Sequence, residues 1–125
     1  MRCIDLKIQE SAENYLETIL MLTQRNGNVR SIDIVNEMAF TKPSVSVAMK
    51  NLREDNYIEV DKIGHITLTQ KGREIAENML ERHTLLSNWL VSLGVDRTTA
   101  VQDACRMEHV LSKESFQAIK KLSVK

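Results

Sequence analysis

Cys105, Glu108 and His109 fall within five positions of one another in the stretch DACRMEHVLS, residues 103–112. On a helix, residues three and four apart share a face, so a thiol, a carboxylate and an imidazole would project toward one point. That combination can bind a metal ion. Alone it has plain alternatives: Cys105 as a small buried hydrophobe, Glu108 and His109 as a solvated pair. The chain offers further ligands. Asn14 and Glu17 are three apart in SAENYLETI, and His83 lies in ERHTLL. Three helices could therefore gather oxygen, nitrogen and sulfur donors around one ion or two neighbouring ones. Each has its own simpler reading: Asn14 as a cap or surface amide, Glu17 as an exposed acid, His83 as a polar edge of the core.

The elements that must position these residues are mostly helical. The chain has 125 residues, 42% of them hydrophobic, few aromatics and a single proline. This suits one ordinary domain or two small lobes. Ser11 is expected to cap a first helix with Tyr15, Leu16, Ile19, Leu20 and Leu22 inward, ending near Gly27. A second helix is expected from about Ile32 to Ala39. After a tight break, Thr41 caps a third that runs to about Asp55, with Pro43 in its first turn, where a missing amide costs nothing. Alternation in YIEVDKIGHITLT predicts a two-stranded hairpin. A long helix from about Gln70 stops at Gly94; Asp96 caps the next helix and Ser112 the last.

Three helices, a short turn between the second and third, and a hairpin directly afterward describe a winged helix-turn-helix. The third helix is expected in the major groove of double-stranded DNA, led by Lys42, Pro43, Ser44, Ser46 and Val47, whose mostly short side chains permit close approach to base edges. Lys50 and Arg53 suit phosphates, and Arg30, Ser31, Lys62 and His65 can add backbone contacts. Between Thr41 and Arg53 there are three basic residues and no acid. The alternative is a winged helix used only for protein contact. Across the whole chain 17 basic and 17 acidic residues cancel, so nucleic-acid binding must come from this local patch.

Taken together, SAENYLETILML, TKPSVSVAMKNLREDNYI, LTQKGREIAENMLERHTLL, LGVD and DACRMEHVLS resemble the iron- and manganese-dependent repressors typified by the diphtheria toxin repressor and the manganese transport regulator. The resemblance runs from about Ser11 to the end. It implies a homodimer that binds palindromic operators when Fe²⁺ or Mn²⁺ is held by Asn14, Glu17, His83, Cys105, Glu108 and His109. Two positions depart from the family's best-known branches. Asn14 replaces a Met or Asp, offering a neutral amide. Cys105 matches the iron-sensing branch, where the manganese branch has a carboxylate, and a thiolate favours Fe²⁺, Co²⁺, Ni²⁺ or Zn²⁺ over Mn²⁺. The iron branch's ancillary site aligns with Ser87 and Val101, and Val101 cannot ligate, so a second site of that kind is expected to be weak or absent.

The expected architecture is a mostly α fold with a small β-hairpin wing: a winged helix-turn-helix over 1–70, then a helical metal-binding and dimerisation domain over 71–125, in the short form without an SH3-like domain. Leu86, Trp89, Leu90, Phe116 and Ile119 are expected at the dimer interface, with Met79, Val110 and Leu111 also in the shared core. The N-terminal residues lack the features of a signal peptide and no apolar run approaches membrane-spanning length, so a cytoplasmic protein without membrane contact is expected. In that reducing compartment Cys3 and Cys105 are expected as thiols or metal ligands, not a disulfide. A competing reading is a thiol-responsive regulator, with His109 and Arg106 lowering the pKa of Cys105. Enzymatic use of Cys, Glu and His ranks lowest, because no phosphate-cradling glycine loop or further catalytic group accompanies them.

Overall fold

The computed structural model describes the backbone of residues 3–123 and the side chains of residues 10–122. The elements are α1 (Cys3–Asn26), α2 (Ser31–Met38), α3 (Lys42–Glu54), β1 (Ile58–Val60), β2 (Ile66–Leu68), α4 (Gln70–Ser92), α5 (Arg97–Val110) and α6 (Lys113–Ser123). The chain forms two compact units, divided between Glu77 and Asn78 within α4. No helix among the described residues is long and apolar enough to cross a membrane.

In the first unit α1 is the hub. Its buried Leu16, Ile19, Leu20 and Leu22 share the core with Val29, Ile34 of α2, Val45, Met49 and Leu52 of α3, and Ile58 and Ile66 of the hairpin. α1 packs on α2, α3 and β2. It begins well before the expected cap: Ser11 lies inside the helix and does not cap it. No Gly or Pro precedes Ser11, so nothing stops helix propagation toward the N-terminus. The far end conforms, with Gly27 at φ +85° and its amide bonded to the Thr23 carbonyl at 2.9 Å.

The turn between α2 and α3 places Ala39 in the left-handed region, φ +56°, a conformation that strains any residue with a Cβ. Thr41 then caps α3 by accepting the Ser44 amide at 3.2 Å. Asn56, at φ +64°, ends α3 and lets the Tyr57 amide bond back to the Leu52 carbonyl at 2.9 Å. The antiparallel wing pairs Ile58 with Leu68 and Val60 with Ile66. Its turn is fixed by Asp61, whose Oδ1 accepts the Ile63 and His65 amides at 2.9 and 2.8 Å. Those bonds, that from His65 foremost, hold the Asp61 carboxyl below the usual aspartate value. At the start of α4, Gly72 passes so close to the Tyr57 backbone that a Cβ would collide with its carbonyl.

The second unit has its own small core of Leu86, Ala104 and Phe116, with Leu85, Trp89, Met107, Leu111 and Ile119 packed against it. Asp96 caps α5 by accepting the Thr98 amide at 3.1 Å, and the Ser112 hydroxyl accepts the Ser115 amide at 3.0 Å to start α6. Val110 is 68% exposed and Leu86 fully buried. The expected core place of Val110 is therefore not realised within the chain: it is the last residue of α5, on the helix side turned away from Ala104.

Candidate metal centre and nucleic-acid interface

The second unit brings together three of the expected ligands. Glu108, on α5, is fully buried. Its Oε2 lies 3.0 Å from Nδ1 of His83 on α4, and its Oε1 lies 3.3 Å from Nε2 of the neighbouring His109. The His109 side chain is 2% exposed and that of His83 22%. A buried carboxylate is costly unless positive charge or donated hydrogen bonds compensate it. An imidazole nitrogen facing a carboxylate oxygen at 3.0 Å needs a proton between them or a cation shared by both. A divalent ion exchanging with those protons satisfies the same geometry, and metal binding to such groups releases protons in this way. The donor set of carboxylate oxygen and imidazole nitrogen therefore fits a borderline divalent cation.

Cys105 sits on α5, three and four residues before Glu108 and His109, and is half-buried. There is no disulfide among the described residues; the Cys3 side chain lies outside them. Asn14 and Glu17 belong to the first unit, on α1. Glu17 is 4% exposed, an unusual burial for a carboxylate. Asn14 is half-buried; its carbonyl accepts the Thr18 hydroxyl at 2.8 Å, and it lines a shallow cavity with Thr18, Met21, Glu37, Met38 and Phe40. Ser87 is buried with no hydrogen-bond partner for its hydroxyl among the described residues, while Val101 brings only apolar surface.

One residue escaped the sequence reading. Arg82 precedes His83, and its Nη1 donates to the carbonyls of Glu108 at 3.0 Å and Leu111 at 2.8 Å. The guanidinium also lies 5.0 Å from the Phe116 ring centroid. Consecutive residues of α4 thus grip Glu108 by its backbone and by its side chain. Arg82 also satisfies the carbonyls and dipole at the end of α5. The only sequence signal was a basic residue beside a candidate ligand.

In the first unit Arg30, Ser31, Lys42, Pro43, Ser44, Ser46, Val47 and Lys50 are all exposed. Val45, Met49 and Leu52 turn the opposite side of α3 into the core and fix its rotation. The outward face carries Lys42, Lys50 and Arg53, and Lys62 is exposed on the wing. That leaves a cationic surface with short side chains at its leading end, a form suited to a phosphate backbone and the groove beside it.

Comparison with known proteins adds the family. Residues 7–66 match the model of the iron dependent repressor N-terminal DNA binding domain, and residues 69–123 match that of the iron dependent repressor metal binding and dimerisation domain. The HTH-type transcriptional regulator MntR of Bacillus subtilis (strain 168) is 35% identical over 109 residues, 87% of this chain and 77% of that one. MntR of Listeria monocytogenes serovar 1/2a has the same identity and coverage. Among solved structures, a manganese-dependent transcriptional repressor in complex with manganese superposes with a TM-score of 0.80 at 26% identity, covering 90% of this chain and 52% of that chain. The manganese regulator SloR gives 0.79 at 26% identity, covering 89% and 52%. The chain spans about half the length of these solved structures. With a DNA-binding domain model matching its first half and a metal-binding and dimerisation model its second, the chain belongs to the iron-dependent repressor family of metal-dependent, DNA-binding transcriptional regulators.

Proposed function

We propose that this protein is a homodimeric repressor that senses Fe²⁺ or Mn²⁺, binds a palindromic operator in its metal-loaded form and controls genes of metal uptake or homeostasis. The observation that carries the reading is the buried Glu108 carboxylate held between two imidazoles, in a chain whose other unit exposes a basic helix face. His83, Cys105, Glu108 and His109 form one wall of the metal site. Glu17 and Asn14 complete it; their part rests on the sequence resemblance alone. A divalent cation held there would supply positive charge that neutralises the donor carboxylates, and with Glu17 among its ligands it would couple α1 to α4 and α5.

The chain's own residues would carry the consequence to DNA. α1 packs directly on α2 and α3, so restraint of Glu17 acts on the helix against which the recognition helix rests. A dimer must match half-sites about one helical turn apart, so a small change in the placement of α3 alters operator affinity. Trp89, Leu90 and Ile119, half-buried on α4 and α6, are the dimer-forming residues, supported from beneath by Leu86 and Phe116. The Cys105 thiolate tilts preference toward Fe²⁺ and its softer substitutes Co²⁺, Ni²⁺ and Zn²⁺. Family membership leaves the thiol-responsive reading without an observation in its favour.

Titration of the protein with Mn²⁺, Fe²⁺, Co²⁺ and Zn²⁺ under reducing conditions tests the site. At least one ion should bind at micromolar concentration, with binding lost in Glu108→Gln and His83→Ala. Failure of all four ions to bind refutes the reading.

A further inference from the structure

Among the described residues of the first unit the two most exposed large apolar side chains are Val47, at 60%, and Ile63, at 64%. Ile63 sits in the wing turn, while Val47 sits mid-helix on α3. Val47 comes two residues after buried Val45 and two before buried Met49, about 200° of helical rotation from each. It therefore stands at the crest of the outward face, one turn beyond Pro43 and one turn before Lys50. No packing within the unit accounts for a β-branched apolar residue there, and valine is a poorer helix former than lysine or alanine. The exposed Ser44 and Ser46 beside it are short enough to let a surface approach the valine closely.

The identity of that surface follows from the chemistry of the helix, and rests on the reading of α3 as a DNA-recognition helix. The exposed Lys42, Lys50 and Arg53 line one flank of the crest with positive charge, which fits a phosphate-lined groove and not an apolar protein surface. Valine has no donor or acceptor and can meet a base edge only through its methyl groups. In the major groove the apolar group on a base edge is the C5-methyl of thymine. We propose that Val47 is a specificity residue, whose methyl groups contact the C5-methyl of one thymine in each half-site of the operator. Lys50 and Lys42 hold the flanking phosphates, so they set affinity without selecting the base.

The test starts from duplexes selected by the Mn²⁺-loaded or Co²⁺-loaded protein from a randomised pool. Each thymine of a half-site is then replaced singly by deoxyuridine, which keeps the base pair and removes only the methyl. At one position per half-site this should weaken binding roughly fourfold, the effect of one buried methyl-sized group. Val47→Ser should bind thymine and uracil duplexes equally at that position while remaining sensitive to phosphate-neutralising changes elsewhere. Selection of DNA with no methyl response, or a response that persists in Val47→Ser, overturns the assignment of Val47 alone. Selection of no DNA, with another protein or a second copy captured through α3 instead, overturns the DNA reading and this assignment with it.

Discussion

Replacing Arg82 should loosen the metal site without touching a ligand. Its Nη1 holds the carbonyls of Glu108 and Leu111, while the next residue, His83, holds the Glu108 carboxylate. A hydrogen bond from a charged donor contributes about 1.5–3 kcal/mol when its acceptor is otherwise buried. Arg82 is half-exposed, so the lower end applies, and loss of both bonds should cost about 2–4 kcal/mol. Arg82→Met keeps an unbranched apolar stem near Phe116 but removes the fork and the charge. Fraying at the end of α5 then costs Glu108 and His109 their fixed positions. Metal affinity should fall about 10–100-fold, as it does when supports of ligands are removed. Arg82→Lys retains the charge and should recover part of the loss. The assay pairs thermal unfolding with metal titration, using Phe116→Leu as a variant of comparable instability that leaves both carbonyl bonds in place. If Arg82→Met binds metal as tightly as Phe116→Leu does, Arg82 merely stabilises the unit and the positioning argument is wrong.

Cys105→Asp should raise affinity for Mn²⁺ relative to Zn²⁺ and Co²⁺ by on the order of tenfold, because a hard oxygen replaces a soft sulfur; competitive titration checks the ratio. Gly72→Ala should cost about 1–3 kcal/mol, seen as a lowered Tm, because the new Cβ meets the Tyr57 carbonyl and neither backbone segment is free to yield. Acidification should release the wing. The Asp61 carboxyl is held below its ordinary value of 3.8, chiefly by the His65 amide, so its contribution is present above that pH and is lost as pH falls through the depressed folded value. Amide signals of Ile63 and His65 should report the release, and Asp61→Asn should reduce its pH dependence.

Most of the fold is legible where punctuation is local. Thr41, Asp96 and Ser112 cap the helices they were expected to cap, and Gly27 ends α1. These residues act through their own backbone or one a few positions away, so sequence carries the whole interaction. Ser11 misled because a serine caps only if the chain before it leaves the helix, and there it does not. The compact units divide between Glu77 and Asn78, inside the continuous helix α4, where the helical pattern carries no punctuation. The candidate site was legible as ligand types on helix faces. What sequence could not supply was burial: a Glu and His in adjacent positions read equally well as solvated, until tertiary packing removes Glu108 from water. Arg82 was illegible for the same reason, since its partners lie 26 and 29 residues away.

The most direct test of metal-switched DNA binding is fluorescence anisotropy of a labelled, selected duplex, titrated with protein at several fixed concentrations of Mn²⁺ or Fe²⁺. DNA affinity should rise at least about tenfold with one of these metals, a coupling of about 1.4 kcal/mol or more, and return to its starting value on chelation. Glu108→Gln should remain at the metal-free affinity throughout. Equal DNA affinity with and without metal, in a protein shown to bind the ion, would contradict the account.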